Sequence, residues 1–186
     1  MTVSREVHLI NHPTGLPKVT DFAITESVLP NPKEGQVVVD NIYLSVDPAM
    51  RPRLSNGQQP LNQPMSGGAI GIVSASRDAS LKEGDYVQHQ LGFRERLVCP
   101  SQKVQKLVPG DIPISVYMHA LGGTGFTAWG GLLVTGELHD GENVFVSAAA
   151  GAVGSVAAQI AKIKGCYVIG SAGSDEKCQW LQNDLG

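Results

Sequence analysis

Up to about Pro109 the chain alternates short apolar, β-branched runs with clusters of turn-forming residues. Strands are predicted over residues 6–10, 22–28, 36–46, 69–76, 85–90 and 94–99, where Val, Ile, Thr and aromatic side chains concentrate. Between them stand Pro13-Thr14-Gly15, Pro30-Asn31-Pro32, Lys82-Glu83-Gly84-Asp85 and Val108-Pro109-Gly110-Asp111, all turn chemistry. Six short strands at this spacing predict a small β-barrel or sandwich. The polar stretch 55–64, with Gly57, Pro60 and Pro64, reads as a long mobile loop.

After Pro113 the pattern changes. Residues 114–121 and 127–133 are rich in small and apolar residues and read as helices. A short apolar strand is predicted over 143–147, then a helix over 153–164 with Val156, Ile160 and Ile163 along one face. Gly165 ends that helix, a second apolar strand covers 166–170, and a further helix begins at Asp175. Strand, glycine turn, helix and strand make one βαβ unit, whose apolar strands belong in a parallel sheet buried on both faces. The fold class is therefore α/β with a β-rich first part. The division falls between residues 1–112 and residues 113–186. A doubly wound sheet needs several more strands than 186 residues leave room for, so a fragment is expected.

Composition narrows the partners. Fourteen Lys and Arg against 17 Asp and Glu leave a net charge of −3, without the basic surplus of a protein that neutralises many phosphates. Nucleic acid and anionic membrane surfaces are therefore not expected as partners. The first residues show no cationic stretch followed by an apolar run, and the uncharged stretch 120–135 is too short and too rich in glycine to span a bilayer. Cys99, Cys166 and Cys178 share no C-x-x-C spacing, which fits reduced thiols in a cytoplasmic protein.

The chemistry concentrates in Ala148-Ala149-Ala150-Gly151-Ala152-Val153-Gly154, which follows one strand and opens a helix. Gly151 allows the backbone to approach a pyrophosphate, and Gly154 lets the helix pack closely on the strand. The helix N-terminus adds unpaired N–H groups and a positive dipole end. An NAD site would carry an acid at the end of the second strand, to hold the ribose 2′-hydroxyl. This chain has Gly170-Ser171-Ala172-Gly173-Ser174 there, followed by Asp175-Glu176-Lys177. Gly173 and Ser174 can wrap a phosphate and Lys177 can supply charge, which favours NADP over NAD. A solvated helix lysine is the alternative for Lys177.

These motifs, together with Leu44-Ser45-Val46-Asp47-Pro48-Ala49-Met50-Arg51, resemble the zinc-independent alkenal/one reductases of the medium-chain dehydrogenase/reductase superfamily. That group includes the prostaglandin/leukotriene and curcumin reductases. The resemblance implies a GroES-like barrel followed by the first βαβ unit of a Rossmann sheet. It also implies NADPH-dependent reduction of the C=C bond of α,β-unsaturated ketones or aldehydes, and a homodimer when the fold is complete. Gly151, Ala152, Val153 and Gly154 map to the pyrophosphate turn and Lys177 to the 2′-phosphate lysine. Thr127 keeps its place in the later helix and could meet the nicotinamide end; a hydroxyl bonded to its own backbone is the alternative.

Zinc-dependent relatives carry a Cys and a Gly-His-Glu segment where this chain has Ser45-Val46-Asp47 and Gly67-Gly68-Ala69, so no catalytic metal is expected. Two departures reshape the acceptor pocket: Ala49 replaces an aromatic residue, and Gly122-Gly123-Thr124-Gly125-Phe126-Thr127-Ala128-Trp129 replaces the usual Gly-Met-Pro-Gly-Leu-Thr-Ala-Tyr. No residue stands out as proton donor. Tyr43 is the one tyrosine near the family motif, with a core packing role as its alternative. Family catalysis uses the crevice between two complete domains, so the 186-residue chain alone is expected to be inactive. A quinone reductase of the same superfamily, or a non-catalytic binding or oligomerisation module, is the rival reading.

Overall fold

A computed structural model describes residues 2–186, which form two compact units, one running to Gly110 and the other from Asp111 to Gly186. Among the described residues no helix is long and apolar enough to cross a membrane.

The first unit opens with an antiparallel pair, β1 (Val3–Leu9) and β2 (Phe22–Val28). Its main sheet holds β3 (Gln36–Leu44), β4 (Ala69–Ser76), β5 (Tyr86–His89), β6 (Arg96–Pro100) and β7 (Gln105–Leu107), in the antiparallel order β6-β3-β4-β5-β7. Period-two alternation drives this arrangement: Val37 and Val39 on β3 are fully buried and meet Val73, Leu81, Val87, Leu97 and Cys99. Gly71 sits where β4 crosses β3, and a Cβ there would lie 2.7 Å from the Asp40 carbonyl oxygen. The short helix α1 (Met50–Ser55) buries Met50 and Leu54 against Leu9 and Met65. Buried Glu6 ties β1 into the unit, accepting from His8 Nε2 and Ser27 Oγ, each at 3.0 Å, and pairing with Arg94.

The predicted strands all appear, with no end shifted by more than three residues. The three-residue β7 is too short and polar to show a pattern in the sequence. The segment read as a mobile loop is tied at several points. Gln59 is buried; its side chain accepts from Ser66 N and donates to Pro64 O, while Asn62 N donates to Leu9 O at 2.7 Å.

His89 is the buried hinge pin of this unit, 4% exposed. Its Nδ1 accepts from Leu91 N at 3.1 Å and its Nε2 donates to Asn41 Oδ1 at 2.8 Å, while Asn41 Nδ2 donates to the carbonyls of Gly92 and Arg94. Every partner is matched only when the ring is neutral. Burial, with the nearby Arg94 cation, pushes the imidazole down to about 4. The unfolded chain takes up this proton near pH 6.5, the folded chain only near 4. Stability is therefore complete above about pH 6.5 and falls by roughly 3 kcal/mol as the pH drops to 4. Urea unfolding at stepped pH should show this slope in the unsubstituted chain and its absence in His89→Gln, which cannot titrate. Equal slopes would assign the acid sensitivity to other groups.

The second unit begins with a 3-10 turn, Ile114–Met118, shorter than the predicted helix. Helix α2 (Gly123–Trp129) starts four residues earlier than the pattern indicates and continues as a π-helical turn over Gly130–Thr135. The strands β8 (Asn143–Val146) and β9 (Tyr167–Gly170) pair in parallel, joined by α3 (Ala152–Ile163), and α4 (Asp175–Asp184) follows. Gly165, at φ +71°, ends α3 in a Schellman arrangement: Cys166 N donates to Ala161 O and Gly165 N to Lys162 O. The buried face of α3 is Ser155, Val156, Ala157, Ala158 and Ala161. Ile163, expected on that face, is 86% exposed, because small side chains rather than the large aliphatics bring α3 onto the sheet. Val146, Ala149 and Ala128 complete this cluster.

Candidate functional site

The second unit places every candidate cofactor residue. Strand β8 ends at Val146, and the chain turns through Ala148, which takes φ +49°, unusual for a residue with a Cβ. Gly151 N donates back to Ala148 O at 2.8 Å, closing the turn. Gly151 is the N-cap of α3 in extended conformation, and no side chain caps the helix. The Ala152, Val153 and Gly154 amides stand at the head of a 12-residue helix with its positive dipole end. Close approach fixes the glycines: a Cβ at Gly154 would sit 2.4 Å from Ala148 O, and one at Gly151 3.1 Å from the same oxygen. Ala152 and Val153 are exposed beside them, so the cradle faces solvent and suits an anion.

The second half of the site joins the first through the sheet. Ala149 N donates to Ser171 O at 2.8 Å and Ser171 N to Val146 O at 3.0 Å, holding the loop after β9 against the glycine turn. Both lie at the carboxyl ends of parallel strands, where open α/β sheets bind ligands. Gly170 has no room for a side chain: its Cβ would meet Ala149 Cβ at 2.8 Å. Gly173, by contrast, has nothing within 4 Å of that position. Ser174 caps α4, its Oγ accepting from Lys177 N at 3.3 Å. Lys177 therefore stands in the first turn of α4, exposed, with no ion pair to its ammonium among the described residues.

Thr127 is on α2, whose Ala128 packs in the same cluster as Ala149. Its exposed hydroxyl donates to Gly123 O at 2.8 Å, the back-bonded geometry. In the first unit, Ser45 Oγ donates to Asp47 Oδ2 at 2.7 Å, and Met50 N to Asp47 O at 2.9 Å, so the family segment is a local turn built around Asp47. Tyr43, at the end of β3, is 43% exposed and is not a core tyrosine.

No motif or spacing marks His119. Its Nε2 donates to the carbonyl oxygen of Ala152 at 2.9 Å, across 33 positions.

The histidines do not converge. His8 bonds Glu6, His12 donates to Leu54 O, and His89 bonds Asn41. Among the described residues, no group of three His, Cys, Asp or Glu side chains could hold a metal ion. Elemental analysis of purified protein should find less than about 0.2 zinc per chain. Stoichiometric zinc that survives dialysis against a chelator is the contrary result. Cys99 is buried and its thiol is pushed up to about 11, so it offers no thiolate at neutral pH.

Known proteins match this chain over most of its length. Residues 5–107 match the family described as the N-terminal domain of oxidoreductase. The chain is 38% identical over 193 residues to the NADP+-dependent 2-alkenal reductase of Nicotiana tabacum, covering 98% of this chain and 56% of that protein. It is 37% identical over 187 residues to the NADPH-dependent curcumin reductase of Escherichia coli, covering 96% and 53%. Among solved structures, CurA from Vibrio vulnificus in complex with NADPH superposes with a TM-score of 0.87 at 36% identity, over 98% of this chain and 56% of that one. The chain thus spans about half the length of the relatives it matches. With more than half of its residues matched by the oxidoreductase family, the chain belongs to the zinc-independent medium-chain dehydrogenase/reductases.

Proposed function

We propose that the protein carrying this chain is an NADPH-dependent reductase of the C=C bond in α,β-unsaturated ketones or aldehydes. Residues 113–186 serve the cofactor and residues 1–112 the substrate side. The observation that carries the reading is the uncapped glycine turn at the head of α3, held beside the acid-free loop 170–174, with Lys177 in the first turn of the helix that follows. The NADP+-dependent alkenal reductase of tobacco and the NADPH complex of the Vibrio protein support the same cofactor.

The residues fit the group. The Ala152, Val153 and Gly154 amides would hold the pyrophosphate, at a helix head that Gly154 lets pack within 2.4 Å, Cβ position to Ala148 O, of the turn. Gly173 leaves space, and Ser174 and Lys177 hold the 2′-phosphate. Thr127 orients the nicotinamide end, its hydroxyl turning from Gly123 O to do so. NADPH supplies the hydride, and the protein supplies position and electrostatics. Orientation is the larger share, because a fixed donor and acceptor convert a two-body encounter into a one-body step.

NADPH consumption by purified protein, with an enone, with a quinone and with neither, tests the proposal. The enone should raise the rate well above the other two. Consumption driven by quinone alone assigns the other branch of the superfamily. The absence of NADPH binding at millimolar concentration removes the reading altogether.

A further inference from the structure

We propose that His119 is a positioning residue for the dinucleotide site, acting through the carbonyl group of Ala152. The inference rests on the cofactor reading above and assigns a task to a residue outside the glycine motif.

His119 is a node between two helix starts. Its backbone carbonyl accepts from Gly122 N and Gly125 N, each at 3.0 Å, and from Thr124 Oγ1 at 2.9 Å, so it anchors the head of α2. Gly125 is required for this approach, since a Cβ there would overlap the Ala120 carbonyl. The ring then reaches α3. A carbonyl oxygen can only accept, so Nε2 carries the proton in the 2.9 Å bond to Ala152 O.

Ala152 is the first residue of α3, and its carbonyl shares one rigid peptide plane with the N–H of Val153. The two groups point in opposite directions along that plane. Holding the oxygen therefore aims the Val153 N–H at the space before the helix, where the pyrophosphate is expected. The bond also polarises the peptide, which makes that N–H a stronger donor. A backbone amide at a helix head has no side chain to select its direction. Here a side chain 33 positions away does so.

The effect should reach both cofactors alike, because NADPH and NADH share the pyrophosphate. This separates His119 from Lys177, whose task concerns the 2′-phosphate alone. His119→Gln is the informative variant, since its side-chain amide can place a donor near the position of Nε2.

Dissociation constants for NADPH and NADH should be measured by fluorescence titration in the unsubstituted protein that carries this chain, and in its His119→Ala and His119→Gln variants. Circular dichroism should verify that each is folded. His119→Ala should weaken both cofactors by the same factor, about 3- to 10-fold, the net worth of one hydrogen bond. His119→Gln should return both to within about 2-fold of the unsubstituted chain. Without any cofactor, the Val153 amide proton should move upfield in His119→Ala and return in His119→Gln. Unchanged affinities in a folded His119→Ala, or a Gln variant no better than Ala, overturn the positioning role and leave the cofactor reading standing. If the unsubstituted protein that carries this chain binds neither cofactor, the reading and the inference fall together.

Discussion

Gly154→Val should abolish measurable cofactor binding, weakening NADPH and NADH together by at least about 100-fold, the loss of two charge-assisted hydrogen bonds. The cause is steric. A Cβ at this position lies 2.4 Å from Ala148 O and 2.9 Å from Ala149 Cα, both backbone atoms that cannot rotate away. The head of α3 must then lift from the end of β8, carrying its open amides out of register with the anion. The same displacement should lower stability by about 1–3 kcal/mol, the usual cost of overpacking. Gly173→Ala is the matched control: nothing lies within 4 Å of its Cβ, so the melting temperature should hardly move. Isothermal titration with both nucleotides, alongside thermal melts, checks the pair. Retained binding in a folded Gly154→Val would mean that the amides at the head of α3 do not hold the pyrophosphate.

The second large effect concerns the choice between nucleotides. In the complete protein that carries this chain, Lys177→Ala should weaken NADPH by on the order of 10- to 100-fold, since a hydrogen bond to a charged group contributes roughly 1.5–3 kcal/mol. NADH should stay within a factor of about 3, because it lacks the phosphate that the ammonium contacts. Lys177→Glu should go further by adding repulsion. High salt should shrink the difference, since Lys177 is exposed at the head of α4. Equal losses for both nucleotides would make Lys177 a structural residue. No loss at all would leave it a solvated helix lysine and remove the main support for NADPH.

Features governed by neighbours in the chain were legible from the sequence alone. The strands of the first unit follow from alternation and turn residues, and β2 and β4 begin and end where the pattern indicates. The glycine turn was legible because Gly151 and Gly154 stand at fixed spacing between a strand and a helix. Features made by distant residues were not. Nothing local marks His89 as the residue that ties Asn41 to the segment around Leu91, nor His119 as the residue that holds Ala152. The π-helical turn after Trp129 was also hidden, since one extra residue per turn leaves no clear mark in a run of glycine and leucine. Ile163 shows the reverse error: hydrophobic type suggested burial, while the alanines of α3 supply the packed face.

The absence of space at Gly170 has a consequence for how this site could change its cofactor over evolutionary time. The shortest mutational path from NADPH to NADH puts an acid at the end of the second strand. At position 170 that path is closed, because any side chain there meets Ala149 Cβ at 2.8 Å and Ala149 is itself buried. A change at residue 149 to glycine would have to come first, at some cost to the cluster it packs in. The two substitutions are thus ordered: Gly170→Asp is harmful alone and useful only on the altered background. Ser171 is exposed and carries no such condition. Selection for NADH should find its acid at 171 before 170.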